Sequence, residues 1–417
     1  MKIVFTDEER EGKVIGGVDT HTDTHWLCVL GERGDVRLSQ EFPATAAGYD
    51  ELARAIGPSD GCLAVGVEGT GSFGAGLTRR LSELGYRVYE VLRPKREKRG
   101  IAEDKNDGAD AERAARDVMA GHGLSEPKSQ DGWVEGVRVL LNARDQAVKA
   151  CTSLSNAARS MLITADESMR RPYEGMAADK LMKSLMRVEG VGDIGGATAD
   201  ALRALATSWK AADDSRRALE KSMRALLERN CPALLAMYCC GVSDAAALAV
   251  AAGDNPQRLK SEASFAALCG VSPVEASSGK TKRHRLNRGG DRRANTALYM
   301  ICIRRMGHDP RTRAYVARYG GYGGPGNNKE IERRLKRYIA REAYHAIMHP
   351  FDLRDYIDGR ELAKIRKQAG LRQIDVAAAL GVSTSSISDV ENMHEPRREL
   401  AKKYAAWIEQ GMPIDAD

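Results

Sequence analysis

The sequence has few aromatic residues and no long apolar run. Aromatic residues make up 5% of its 417 residues, and only 5 are Phe. No window approaches the ~20 apolar residues that a membrane-spanning helix needs, and the opening MKIVFTDEEREGK lacks the apolar stretch of a signal peptide. We therefore expect a soluble, cytoplasmic protein. Its length suggests roughly two to four domains.

Cysteine pairs with the spacing of a metal or redox motif are also lacking. No CxxC motif occurs among the 8 cysteines, and the one adjacent pair is too cramped for an easy disulfide bridge. We therefore expect reduced core cysteines and favour neither a zinc site nor a disulfide framework. The cysteines are Cys28, Cys62, Cys151, Cys231, Cys239, Cys240, Cys269 and Cys302.

Positive charge is concentrated in one part of the chain. The net charge is +6, but from Lys280 to Glu342 eighteen Lys or Arg residues stand against five acids. That stretch carries +13, which leaves −7 for the rest. A local positive stretch beside acidic clusters suits a polyphosphate partner better than a membrane surface.

The order of hydrophobic patterns predicts a multidomain protein, α/β at first and then α. Strand-like and helix-like segments alternate from residue 14 to 93, where three strands that can pair as hairpins precede a β-α-β unit. This order indicates a mixed sheet with helices. A helix is predicted at 107–120, followed by an almost wholly helical stretch. The predicted domains are 14–125, a helical coiled-coil arm at 126–235, a helical domain at 236–350 and a compact helical unit at 358–412.

Four carboxylates form a candidate metal site in the first domain. Asp19 and Glu68 each end an apolar strand, whereas Asp107 and Asp110 are three apart and share one helix face. Each alone also fits an ordinary role at a turn, a solvated strand end or a helix N-cap. Together they could hold a pair of Mg²⁺ or Mn²⁺ ions about 3.5–4 Å apart, because these ions prefer several hard oxygen ligands.

These motifs carry a resemblance to a known family. GVDTH, VEGTGSFG and KNDGADA resemble the motifs of the IS110 (IS116/IS110/IS902) transposases, whose RuvC-like DEDD domain has an RNase H-like fold. The resemblance continues through most of the chain. It implies that Asp19, Glu68, Asp107 and Asp110 bind metal. The family commonly has Thr before the third acid, where this chain has Asn106, which is also small and polar.

Two histidines near the first acid raise the alternative of zinc. His21 and His25 form an HxxxH pattern around Asp23. Positions i and i+4 do not converge on a strand as they do on a helix, so we do not expect a zinc site.

A serine beside a basic run is the second candidate feature. The segment SPVEASSGKTKRHRLNRGGDRR resembles the C-terminal catalytic region of the same family, in which the serine immediately before a glycine is the proposed nucleophile. That implies Ser278, with Ser277 as the alternative. Without the resemblance, such a serine would be interpreted as a polar turn residue. Nearby cations could stabilise the charge of a phosphodiester under attack; they are Lys280, Lys282, Arg283, Arg285, Arg288, Arg292 and Arg293.

A basic helix follows, with the sequence RRLKRYIARE. Its charges are nearly all positive. This argues against a solvent-exposed face stabilised by salt bridges and favours contacts with phosphate groups. The candidate residues are Arg333, Arg334, Lys336 and Arg337, with Arg341 one turn further on.

The C-terminal segment resembles a Cro/C1 (XRE-type) helix-turn-helix. In QIDVAAALGVSTSSISDVEN, the small residue, the turn glycine and a core position fall at Ala377, Gly381 and Ile387. The hydroxyl groups expected to face DNA are those of Thr384, Ser385, Ser386 and Ser388. A dimerisation or protein-docking module on the same scaffold is the alternative.

The combined prediction is a transposase that cuts and rejoins DNA strands. The family resemblance implies a phosphoserine intermediate at Ser278, a composite site between protomers of a homo-oligomer (a dimer or tetramer) and a structured guide RNA encoded by the element. One alternative is a junction-resolving endonuclease with water as nucleophile. Another is a DNA-binding regulator that acts through the helix-turn-helix.

Overall fold

The computed structural model describes residues 5–91, 106–275, 284–285, 287, 289–319, 328–351, 359–392 and 398–412. The chain divides into two compact units, Met1–Gly132 with Gly253–Arg258 and Trp133–Ala252 with Leu259–Asp417. In the first unit, the Asn255 amide donates to the Pro127 carbonyl at 3.0 Å and ties the second segment to the first. Across the described ranges, no helix has the length and apolar character that a membrane crossing requires.

A six-stranded mixed sheet organises the first unit. The strand order is β3-β2-β1-β4-β5-β6, with parallel pairing of β1 with β4 and of β4 with β5, and antiparallel pairing elsewhere. The expected α/β architecture with a mixed sheet is thereby confirmed. The strands are β1 (Val14–Thr20), β2 (Thr24–Leu30), β3 (Val36–Pro43), β4 (Cys62–Glu68), β5 (Val88–Val91) and β6 (Leu124–Ser125).

Helices cover both faces of this sheet because its central strands bury side chains on both faces. Val18, Leu27 and Val67 pack with Leu52 and Leu77 in one core. Ile15, Cys28 and Leu30 pack with Ala111, Ala115 and Val118 in the other. The helices are α1 (Asp7–Arg10), α2 (Ala46–Ile56), α3 (Ala75–Glu83) and α4 (Asp107–Ala120), with short 3-10 turns at Ser59–Gly61 and Pro256–Arg258.

Two long helices dominate the first part of the second unit. α5 (Trp133–Thr164) and α8 (Gly192–Asn230) pack together, and Ala158, Leu162, Leu202 and Trp209 belong to one of their cores. The shorter elements between them are α6 (Glu167–Arg170), a 3-10 turn (Arg171–Tyr173) and α7 (Ala178–Leu185).

A larger core joins one part of this helix pair to the helices that follow. Val137 and Leu227 pack in one cluster with Leu248, Leu298 and Ile339. The boundaries of the four predicted domains stay a prediction. The elements concerned are α9 (Pro232–Ala236), α10 (Val242–Ala252), α11 (Glu262–Leu268), β7 (Val274–Glu275), β8 (His284–Arg285), α12 (Arg292–His308), α13 (Pro310–Arg318) and α14 (Asn328–Met348).

The last described helices form a small bundle with its own core. Val376, Ile387, Tyr404 and Trp407 are buried together. A glycine in the left-handed region, Gly381 at φ 66°, ends the second helix of the bundle. The helices are α15 (Gly359–Gln368), α16 (Gln373–Leu380), α17 (Thr384–Asn392) and α18 (Arg398–Glu409).

Candidate metal centre

Two of the four predicted acids lie at the same end of neighbouring parallel strands. Asp19 is the penultimate residue of β1 and Glu68 is the last residue of β4, and the preceding residues, Val18 and Val67, are paired in register. The Thr20 hydroxyl donates to the Glu68 carbonyl at 2.7 Å and holds the two strand ends together. Both acids are almost fully buried, with 5% and 7% of their surfaces exposed.

The other two acids lie in the first turn of α4. The helix begins at Asp107, and the side chain of Asn106 accepts a hydrogen bond from the Gly108 N–H as an N-cap. Asn106 is therefore a normal capping residue at the position where the family commonly has Thr. Acids in a first turn also interact favourably with the helix dipole.

Two glycines allow α4 to lie close enough to the sheet for this arrangement. A Cβ at Gly17 would overlap backbone atoms of Ala111 and Ala115, and one at Gly66 would press on Val118. The GG and VGV patterns before the two strand acids therefore create space for the helix that carries the other two.

His21 joins the site, a contact that the sequence pattern did not predict. Its Nε2 atom lies 3.2 Å from Oδ2 of Asp19 and 3.3 Å from Oδ1 of Asp107. The ligand atoms of these three residues all lie within 4.8 Å of one another. His21 reaches them because its N–H donates to the Thr24 carbonyl at 3.0 Å, which forms the turn between β1 and β2. In the sequence, the signal for this contact was the first histidine of the HxxxH pattern.

The second histidine of that pattern lies elsewhere. His25 is fully buried and stacks on Tyr49, with ring centroids 5.6 Å apart and planes 9° apart. Burial lowers the pKa of His25, because the charged imidazolium would be poorly solvated there. The neutral ring is therefore a core residue of the fold.

Arg113 contacts the other two acids. Its Nη1 lies 2.5 Å from Oδ1 of Asp110, and its Nη2 lies 3.5 Å from Oε2 of Glu68. The four carboxylates therefore fall into two pairs, Asp19 and Asp107 with His21, and Glu68 and Asp110 with Arg113. Carboxylate oxygens with one imidazole nitrogen form a donor set that suits a divalent cation.

The predicted nucleophile and its alternative lie outside the described residues, as do four of their cationic neighbours. These residues are Ser277, Ser278, Lys280, Lys282, Arg283 and Arg288. Two short antiparallel strands flank the serines in the sequence, and Val274 of β7 pairs with Arg285 of β8.

The start of α12 carries the next two predicted cations. Asp291 caps this helix by accepting from the N–H groups of Arg293 and Ala294. Arg292 helps to line a groove, and Arg293 lies 3.3 Å from Asp145. An assignment of either residue to nucleic acid stays a prediction.

Several cations of the basic helix form salt bridges, contrary to the expectation from its one-signed sequence. On α14, Arg334 is paired with Glu330 at 2.8 Å, and Arg337 with Glu262 at 3.2 Å. Arg341 is also paired with Glu262, at 2.7 Å. Glu262 could not be predicted as a partner of these arginines, because it lies on α11, far from the basic helix in the sequence.

Lys336 of the same helix is buried. Its Nζ donates to the Asn295 side chain at 3.1 Å, and burial lowers the pKa of its ammonium group. Arg333 and Lys336 line a cavity of about 290 Å³, whose wall includes Ser272 and Pro273 immediately before β7. A phosphate role for Arg333, Arg334, Lys336 and Arg337 stays a prediction.

The C-terminal bundle has the expected helix-turn-helix order. Thr384 and Ser385 are exposed, whereas Ser386 and Ser388 are half-buried. The Ser383 hydroxyl shares hydrogen bonds of 2.8 Å with Ser385 and Ser386, so part of their bonding capacity is used within the protein.

The comparisons with known proteins agree with this architecture. The IS110-type DEDD transposase model matches residues 16–165, and the model for the transposase IS116/IS110/IS902 family matches residues 231–317. A helix-turn-helix model matches residues 362–406.

A 43.6 kDa protein of insertion element IS110 from Streptomyces coelicolor is similar to part of the chain. The two are 37% identical over 118 residues, which is 27% of this chain and 29% of that protein. The matched region therefore spans less than a third of that relative's length.

The fold, the acids and the matched models together resemble those of transposases with a DEDD domain. Residues 16–165 and 231–317 are thus similar to the IS116/IS110/IS902 transposase family, and residues 362–406 are similar to a helix-turn-helix.

Proposed function

We propose that this protein is an IS110-type recombinase that moves DNA by cutting and rejoining strands, with divalent metal held in an RNase H-like domain. The observation that carries the proposal is the placement of Asp19 and Glu68 at adjacent strand ends, with Asp107 and Asp110 in the first turn of the helix packed above them. The sheet supports the fold assignment, because three antiparallel strands are followed by two parallel ones on the other side of β1.

Mg²⁺ is the proposed ion, with Mn²⁺ as an alternative, and the ligands would be the four carboxylates. When bound, such an ion polarises a phosphate oxygen and neutralises charge in the transition state. The chain positions the acids by burying Asp19 and Glu68 and by seating α4 on the two strand glycines. Arg113 would supply positive charge beside Glu68 and Asp110 before metal binds.

The proposed nucleophile is Ser278. Its Oγ would attack a DNA phosphorus and lose its proton, while the bond from phosphorus to one DNA oxygen breaks and that oxygen leaves protonated. The resulting phosphoserine conserves the energy of the broken link, so that a second DNA hydroxyl can reverse the reaction at a new position without ATP. The cavity lined by Arg333 and Lys336, whose wall includes Ser272 and Pro273 just before β7, supports a phosphate site near the serines in the sequence.

The proposed partners are DNA, a structured guide RNA and further copies of the chain. The DNA comprises the element ends and the target. The helix-turn-helix supports DNA contacts through its exposed Thr384 and Ser385. A composite active site would form between protomers of a homo-oligomer, joined through the long helical pair α5 and α8. The proposed location is the cytoplasm.

The serine mechanism is tested by trapping a covalent complex. Full-length protein, purified with its nucleic acid retained, is incubated with labelled DNA carrying the element ends in Mg²⁺ and then denatured. We expect a protein-DNA adduct from wild type and from Ser277→Ala, and none from Ser278→Ala. An adduct that persists in Ser278→Ala would overturn the assignment.

Two further outcomes separate the alternatives. Cleavage without any adduct in wild type would favour a junction-resolving endonuclease with water as nucleophile. DNA binding without cleavage would favour a regulator that acts through the helix-turn-helix. Sequencing the RNA that co-purifies tests the guide, for which we expect one discrete structured species.

A further inference from the structure

We infer that His21 is a metal ligand in addition to the four carboxylates, and that it makes the site more selective for Mn²⁺ over Mg²⁺. The inference rests on the proposed function, because it concerns the same metal centre. The observation is that the imidazole Nε2 lies between Asp19 and Asp107, close to one oxygen of each.

The distances fit the edges of a coordination polyhedron. Ligands 2.1 Å from an ion are about 3.0 Å apart at neighbouring corners of an octahedron and about 3.4 Å apart in a tetrahedron. The Nε2 atom lies 3.2 Å and 3.3 Å from the two carboxylate oxygens, between these two values.

The three ligand atoms also lie close together as a set. All of them are within 4.8 Å of one another, and opposite corners of such an octahedron are about 4.2 Å apart. They are therefore near enough to one another to bind a single ion.

The direction of the nitrogen favours a ligand over an ion-pair partner. Nε2 of His21 is buried from solvent and makes no hydrogen bond of acceptable geometry, although both carboxylate oxygens are near. A ring that acted only as an ion-pair partner would be expected to aim an N–H at one of the two oxygens. A nitrogen that meets neither oxygen in a hydrogen bond is instead placed to coordinate an ion between them.

Selectivity follows from the chemistry of the donor. Imidazole nitrogen binds first-row transition ions readily, whereas Mg²⁺ prefers oxygen ligands and retains water. A centre of carboxylates alone would discriminate less between the two ions. The His21 ring therefore adds affinity for Mn²⁺ that it does not add for Mg²⁺.

The test uses full-length protein and Mn²⁺ as a spectroscopic probe. Pulsed electron paramagnetic resonance detects coupling of bound Mn²⁺ to a ligand nitrogen, and titration calorimetry gives the affinities for Mn²⁺ and Mg²⁺. We expect nitrogen coupling in wild type and its loss in His21→Ala. We also expect the affinity for Mn²⁺ to fall at least about tenfold, and that for Mg²⁺ by less than about threefold.

Two variants make the result independent of folding. His21→Asp replaces nitrogen by oxygen, so it should retain Mg²⁺ binding while losing the nitrogen coupling. His122→Ala is the matched control, because His122 is an exposed histidine just beyond the far end of α4, about 20 Å from Asp107 along the helix axis. It should behave as wild type.

The outcomes distinguish this inference from the proposed function. Nitrogen coupling that persists in His21→Ala, or equal losses of affinity for the two ions, would overturn the role of His21 and leave the carboxylate site intact. A wild-type protein that binds neither ion would overturn both.

Discussion

Arg113 Nη1 lies 2.5 Å from Oδ1 of Asp110, one turn earlier on the same helix. The same guanidinium lies 3.5 Å from Glu68 on β4, so one cation contacts two of the four acids. Its positive charge offsets repulsion between carboxylates that would otherwise destabilise the protein before metal binds.

Replacement of Arg113 by Gln should therefore make the protein depend more on metal. Without metal, Arg113→Gln should lower the free energy of unfolding by about 1–3 kcal/mol, because the buried Glu68 and the half-buried Asp110 lose a charged hydrogen-bond donor. The rise in melting temperature on adding Mn²⁺ should exceed that of wild type.

Arg116→Gln is the control for this measurement, since Arg116 bonds Glu112 on the exposed side of the same helix. A metal-induced rise that is the same in wild type, Arg113→Gln and Arg116→Gln would show that Arg113 does not act at the metal centre.

The close packing of α4 on β1 predicts a strong effect at Gly17. A methyl group there would overlap the backbone of Ala111 and Ala115, so Gly17→Ala should push the helix away from the sheet. We expect a loss of about 1–3 kcal/mol in the free energy of unfolding, together with weaker Mn²⁺ binding.

Gly61→Ala is the matched substitution in the same unit, because its Cβ would meet only Pro58, at 3.8 Å. Chemical denaturation and titration calorimetry on both variants provide the comparison. If Gly17→Ala kept the stability and the Mn²⁺ affinity of Gly61→Ala, the close approach of helix and sheet would not be what positions the acids.

A buried ion pair makes the helix-turn-helix sensitive to mutation and to acid. Glu391 bonds Arg366 at 2.6 Å and accepts hydrogen bonds from Gln373 and Tyr404, both at 2.8 Å. Removal of one partner leaves the other charge uncompensated. Glu391→Ala should therefore cost about 3–5 kcal/mol in local stability. Asp389→Ala, on the exposed side of α17, should have little effect.

The pH dependence follows from the same contacts. Burial raises the pKa of Glu391, but hydrogen bonds from its partners outweigh burial, and the net pKa is lowered. A lowered pKa stabilises the fold above the ordinary value near 4.5 and ceases to do so as the pH falls through the lowered value.

Hydrogen exchange of residues 359–392 in the full chain, followed by mass spectrometry, measures both effects. Protection in wild type should decrease as the pH falls below about 4.5, after correction for intrinsic exchange rates. In Glu391→Ala, protection should already be low at neutral pH. Equal protection in wild type and Glu391→Ala would contradict the importance of the pair.

Much of the first unit follows from local sequence patterns. The strands around Asp19 and Glu68 are apolar runs that end in an acid, and α4 begins at Asp107 because Asn106 can cap it. In each case the residues that form the signal lie within a few positions of each other, so the element can be predicted from the sequence alone.

Contacts between distant residues were not predictable in the same way. Glu262 pairs with Arg337, 75 positions later, and no pattern in the basic helix indicates that partner. His21 was missed for a related reason, because a rule for straight strands does not describe a turn that brings the ring back to Asp19. The role of Ser278 stays a prediction.

The central claim is that the acids at the ends of β1 and β4 and the start of α4 support metal-dependent DNA strand cleavage. The most direct measurement is cleavage of DNA carrying the element ends by full-length protein, with wild type, Asp107→Asn and Glu112→Gln compared in Mg²⁺, Mn²⁺ and a chelator. Glu112 is on the same helix, but it bonds Arg116 away from the site. Wild type and Glu112→Gln should cleave only with metal, and Asp107→Asn should be at least about a hundredfold slower. Equal cleavage by Asp107→Asn, or cleavage in the chelator, would contradict the account.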